Sequence, residues 1–83
     1  MLTTTKRNDA GTGEYWTLDA EPGDVTVNGR TIGYGFSLGT IDPDGRINVW
    51  TPAGPVPRGY KRVARAKLEA AVARLRAAGE VSP

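Results

Sequence analysis

Lys61 to Gly79 reads KRVARAKLEAAVARLRAAG and is the one long periodic segment in a chain of 83 residues. Ala64, Leu68, Ala71, Val72, Leu75 and Ala78 recur at three- and four-residue spacing, so on a helix they form one apolar stripe. Arg62, Arg65, Glu69 and Arg76 flank one side of that stripe, and Lys67 and Arg74 flank the other. Alanine, leucine, arginine and lysine give high intrinsic helix propensity, and Gly79 is a natural stop. The far side carries Ala66, Ala70, Ala73 and Ala77. That alanine face reads either as plain helix-forming surface or as the close contact of a homodimer, because small side chains let two backbones approach.

The charges of this helix run against its dipole. Lys61, Arg62 and Arg65 stand at its positive end and Glu80 just past its negative end. Each such placement costs roughly 0.3–1 kcal/mol. The start also lacks a Ser, Thr, Asp or Asn cap. Either the helix begins later, near Val63 or Ala64, or its positive end is kept for an anion. Free N–H groups with lysine and arginine nearby suit phosphate. The plainer reading is a solvated basic face whose long side-chain stems cover the edge of the core.

Upstream of the helix the pattern is that of strands and tight turns. Glu14 to Ala20 (EYWTLDA) alternates, which turns Trp16 and Leu18 toward a core. Glu21-Pro22-Gly23-Asp24 suits a type II turn, and Val25 to Val27 a short strand. Asn28-Gly29 is the strongest hairpin signal in the chain. Arg30 to Ile41 (RTIGYGFSLGTI) reads as one long strand with Tyr34, Phe36 and Leu38 on one face. Gly33, Gly35, Ser37, Gly39 and Ile41 share its other face, and the pattern leaves open which of the two is buried. Asp42-Pro43-Asp44-Gly45 is a further turn, and Arg46 to Thr51 closes the sheet with Ile47 and Val49 opposite Trp50. Pro52 to Gly59 (PAGPVPRG) is an extended connector.

The expected fold is therefore α+β: a four-stranded antiparallel meander followed by one C-terminal helix packed on the sheet (ββββα), in two layers. Residues 1–13 (with TTTKRNDAGTG at their end) show no periodicity and read as a flexible N-terminal arm, 14–79 as a single domain, and 80–83 as a C-terminal tail.

Net charge is only +2, but its layout is uneven. Residues 1–60 hold five basic against seven acidic residues, and residues 61–83 hold six basic against two acidic. The basic character belongs to the helical end. No apolar run is long enough to span a membrane, the N-terminus lacks the apolar centre of a signal peptide, and there is no cysteine to mark an oxidising compartment. A cytoplasmic location with no membrane partner is expected.

Several chemistries are excluded by composition. There is no histidine and no cysteine, which removes the commonest acid–base group, the commonest metal ligands and the thiol nucleophile. Ser37 and Ser82 are the only serines, and neither sits in a triad-like setting. Asp42, Asp44 and Gly45 share a fragment of a calcium loop but lack its further ligands, and turn chemistry explains them. The expectation is a binding domain, not an enzyme, with no cofactor and no metal.

Two partner classes remain. The first is nucleic acid. Arg58, Lys61, Arg62 and Arg65, with Arg30 or Arg46, would neutralise phosphates at the helix start, and Trp50, Tyr60 or Tyr34 would stack on bases. The four-strand-plus-helix order also resembles the positive-cofactor type of single-stranded DNA-binding fold, a likeness of topology without a residue motif. The second class is protein, with the chain acting as an adaptor or a homodimeric accessory module through Ala66, Ala70, Ala73 and Ala77. Trp50 to Tyr60 (WTPAGPVPRGY) resembles a piece of the MbtH-like family, small adaptors of peptide synthetase adenylation domains, through Trp50 and the run Val56, Pro57, Gly59, Tyr60. Thr51 separates Trp50 from Pro52, and the later tryptophan and Cys-Leu positions of that family are missing here.

Overall fold

The apolar stripe folds as expected, and the helix begins earlier than its missing cap suggests. In the computed structural model, which describes residues 1–11 and 13–82, α1 spans Tyr60–Ala77. Gly59 occupies the cap position in a left-handed conformation (φ 90°) that makes no side-chain cap bond. Tyr60, Ala64, Leu68, Ala71, Val72 and Leu75 are buried, so the stripe extends one turn upstream to Tyr60 and stops short of Ala78, which is exposed.

The layer beneath is a four-stranded antiparallel sheet in the order β1-β2-β5-β6, formed by Thr3–Asp9, Gly13–Ala20, Phe36–Ile41 and Ile47–Val49. β3 (Thr26–Val27) and β4 (Arg30–Thr31) make a separate two-stranded hairpin between β2 and β5. The domain is thus α+β, with four antiparallel strands and one C-terminal helix resting on β5 and β6. Among the described residues no helix is long and apolar enough to cross a membrane.

Two strand assignments differ from the sequence reading. The arm expected over residues 1–13 is an edge strand over Thr3–Asp9, paired residue for residue with β2 from Thr3↔Asp19 to Asp9↔Gly13. Its residues are polar on both faces, so no alternation marks it, and its hydrogen bonds with β2 hold it in place. The long strand expected over Arg30 to Ile41 is broken: Arg30–Thr31 pairs back onto β3, and the chain re-enters the main sheet only at Phe36. The intended turns do form. Asn28 (φ 50°) and Gly29 (φ 77°) make the β3–β4 turn with both central residues at positive φ. The Asp24 amide closes the Glu21–Asp24 turn onto Glu21, and the Gly45 amide closes the next onto Asp42. Thr12 of the expected arm and Pro83 of the expected tail lie outside the described residues. Within that tail Val81 is buried, and the Ser82 amide donates to the Pro43 carbonyl at 2.9 Å.

A bulge decides which face of β5 is buried. The register with β2 runs Trp16↔Ile41, Thr17↔Thr40, Leu18↔Gly39 and then Asp19↔Ser37, leaving Leu38 as the extra residue. The extra residue shifts the alternation by one, so Leu38 and Ile41 are both fully buried although strict alternation sets them on opposite faces. Gly39 sits at the shift. A Cβ there would overlap the Asn48 carbonyl oxygen and stand 3.0 Å from Leu68 Cδ1. Of the strand glycines, Gly39 is therefore where the helix docks closely, while Gly33 has open space around it. Trp16, Leu18 and Ala20 from β2 and Val25, Val27 and Ile32 from the hairpin region complete the core.

The sheet face away from the helix is polar and internally bonded. Asp19 is its centre: its carboxylate accepts from Ser37 Oγ at 2.6 Å, Thr5 Oγ1 at 2.7 Å and Thr17 Oγ1 at 3.3 Å, with the Arg7 guanidinium at 3.8 Å. Partial burial would raise its pKa. The hydroxyl donors and the Arg7 charge outweigh that and hold it below the ordinary carboxylate value.

Candidate nucleic-acid interface

The start of α1 is a bare positive end. No acidic residue lies in its first turn, and its cap makes no side-chain bond. Arg58, Lys61, Arg62 and Arg65 are all exposed around it, and none forms an ion pair with a described residue. The stripe fixes this arrangement. With Tyr60, Ala64 and Leu68 turned into the core, residues 61, 62 and 65 must point to solvent.

A fifth cation reaches the same place through the hairpin. Asn28 Nδ2 donates to the Arg58 carbonyl oxygen at 3.1 Å, and a Cβ at Gly59 would stand 3.6 Å from Val27 Cγ1. The β3–β4 turn is thus seated against the residues that enter the helix. It carries Arg30, exposed and paired in register with Val27. From Arg30 to Tyr34 the chain forms one wall of a shallow groove of about 340 Å³ whose other wall is Pro55 to Pro57. The Tyr34 hydroxyl closes across it onto the Pro55 carbonyl at 2.8 Å. Tyr34 is half-buried and lines the same groove as Arg30.

The two aromatic residues named first for base stacking are placed elsewhere. Tyr60 is only 2 % exposed, so its ring is closed to a ligand. Its hydroxyl donates to the Trp50 carbonyl at 2.9 Å, and burial, with a smaller contribution from Tyr34, pushes its pKa up to about 12. The signal was present in the sequence, since Tyr60 lies one turn before Ala64 on the apolar stripe. Trp50 is 41 % exposed, but its ring lines a groove with Asp9, Glu14, Asp42 and Asp44 on the sheet face away from α1. Arg46 is exposed beside the β5–β6 turn, whose Gly45 packs near Arg76 and Val81 at the other end of the helix. Of the residues proposed from sequence, then, the four cations and Arg30 come together, while Trp50, Tyr60 and Arg46 do not join them. Asn28, which ties the hairpin to the helix start, carries only a turn signal in the sequence. Ala66, Ala70, Ala73 and Ala77 are exposed on the outer side of α1.

Comparison with protein-family models, with curated proteins and with solved structures returns no match. The likeness of Trp50–Tyr60 to the MbtH-like family is therefore local and carries no family assignment.

Proposed function

We propose that this domain binds nucleic acid through the basic start of its helix. The observation that carries the reading is the gathering of Arg30, Arg58, Lys61, Arg62 and Arg65 at one helix N-terminus with no ion-pair partner among the described residues. Backbone phosphates are the ligand chemistry that such a group fits: guanidinium and ammonium groups neutralise them, and the helix dipole adds to the attraction. The binding would position a strand through its phosphates, contacts that carry no sequence information directly. Tyr34, at the groove beside Arg30, is the ring available to an unpaired base.

The test is fluorescence anisotropy with labelled duplex and single-stranded oligonucleotides against the wild type and Arg62→Glu with Arg65→Glu. Both positions are exposed, so the double variant should keep its circular dichroism spectrum while losing tenfold or more in affinity, on the order expected for two reversed phosphate contacts. A folded double variant that binds as well as the wild type contradicts the proposal. Tyr34→Ala weakening only the single-stranded complex would assign the groove to an unpaired base.

A further inference from the structure

Trp50 is, with Met1, one of two exposed large apolar side chains among the described residues. It is not a loose loop residue. Its amide donates to the Leu38 carbonyl at 2.9 Å, and its own carbonyl accepts the Tyr60 hydroxyl at 2.9 Å, so the backbone beneath the ring is fixed on both sides. The ring and that of Tyr15 line a groove of about 580 Å³ on the open face of the sheet. An exposed tryptophan on rigid backbone, over a concave surface, is the usual anchor of a recognition site.

The charge around the rings identifies the partner. Asp9, Glu14, Asp42 and Asp44 line the groove, and no basic side chain does. Glu14 is engaged by Lys6 Nζ at 2.8 Å, whereas Asp9, Asp42 and Asp44 have no ion-pair partner among the described residues. These carboxylates do not converge as metal ligands would: no group of three or more potential ligands is placed to hold a metal ion among the described residues. They stand spread along a surface with two π faces. Dispersed negative charge beside aromatic rings attracts organic cations, which gain both Coulomb and cation–π attraction.

We infer that the Tyr15–Trp50 groove docks a lysine- or arginine-rich polypeptide segment. This surface is separate from the basic helix start, so the two can be occupied or disabled independently. A cationic protein and a nucleic acid could then be held on opposite sides of one small domain.

The experiment titrates the full chain into a fluorescently labelled ten-residue peptide alternating lysine and glycine, its arginine counterpart and a glutamate counterpart. Affinity is read from the anisotropy of the peptide label for every variant and, wherever Trp50 is present, binding is also followed by the indole N–H signal of Trp50. Saturable shifts with both cationic peptides and none with the acidic one are expected. Trp50→Ala should lower affinity about tenfold. Asp9→Asn with Asp42→Asn should lower it several-fold while keeping the acceptor that Asp9 Oδ1 offers the Gly11 amide at 2.8 Å. Arg62→Glu with Arg65→Glu should leave it within about twofold, since those residues lie on the other surface. No shift of the Trp50 signal at millimolar peptide, or unchanged binding by a folded Trp50→Ala variant, overturns the inference. So does binding of the acidic peptide with equal strength.

Discussion

Asn28 Nδ2 lies 3.1 Å from the carbonyl oxygen of Arg58, thirty residues later in the chain, and donates a hydrogen bond to it. That bond joins the one hairpin outside the main sheet to the entry of the one helix. With the approach of Val27 to Gly59, it seats the hairpin that carries Arg30 against the entry of the helix. Asn28→Gly keeps the positive φ that the turn requires and removes only the side-chain donor. Stability should fall by about 1 kcal/mol or less in urea unfolding, as for one exposed hydrogen bond, and nucleic-acid affinity should fall with it, by a few-fold. Unchanged affinity would separate Arg30 from the site.

Gly39 should be the glycine least tolerant of a side chain. Gly39→Ala drives a methyl into the Asn48 carbonyl and against Leu68, where the backbone cannot yield cheaply. The expected loss is about 3 kcal/mol, the upper part of the range for overpacking. Gly33→Ala meets nothing within 4 Å and should change stability by no more than about 0.5 kcal/mol. Chemical unfolding of the two variants checks both values.

How much of this was legible beforehand follows from the physics of each element. The helix stripe was readable because five of its six named positions are buried against the sheet, and a 3.6-residue period reports that directly. β1 was not, because Thr3–Asp9 is polar on both faces and its order comes from pairing with β2, a long-range property. The face of β5 was undecidable by alternation, since one extra residue at Leu38 reverses the parity halfway along. Lys61, Arg62 and Arg65 were readable as exposed neighbours of the stripe, and Arg58 as the charge just ahead of the helix. Trp50 and Tyr60 were grouped with them by closeness in sequence, whereas the strand alternation and the helix period send the two rings to a sheet face and into the core.

Tyr60 makes stability fall at alkaline pH. Its pKa is about 12 in the folded chain and about 10 in an unfolded one. The unfolded state therefore loses its proton first, so the contribution is complete below about pH 10 and is lost as pH rises toward 12. Tyr60→Phe should cost about 1 kcal/mol at neutral pH through the bond to the Trp50 carbonyl. It should also flatten the decline between pH 10 and 12, measured as the urea midpoint at each pH. An equally steep decline in the variant would assign it to other groups.

Asp19 acts at the other end of the scale. Its folded pKa lies below the unfolded value of about 3.9, so the stability it supplies is present above that pH and is lost as pH falls through the folded value. Asp19→Asn should lower stability at pH 7 by about 1 kcal/mol, since Ser37 and Thr5 would then donate to a neutral acceptor. The difference from wild type should shrink as pH falls below about 4, which acid titration of the unfolding midpoint measures.

The most direct test of the nucleic-acid reading is the salt dependence of DNA binding by the wild type. With four to five cations contacting phosphates, affinity should fall by roughly two orders of magnitude or slightly more between about 50 and 200 mM salt. A log–log slope of that size, reduced by about two in the Arg62→Glu, Arg65→Glu variant, is the expected result. Absence of binding to both duplex and single-stranded DNA at the lower salt, or binding whose affinity does not change with salt, would contradict it.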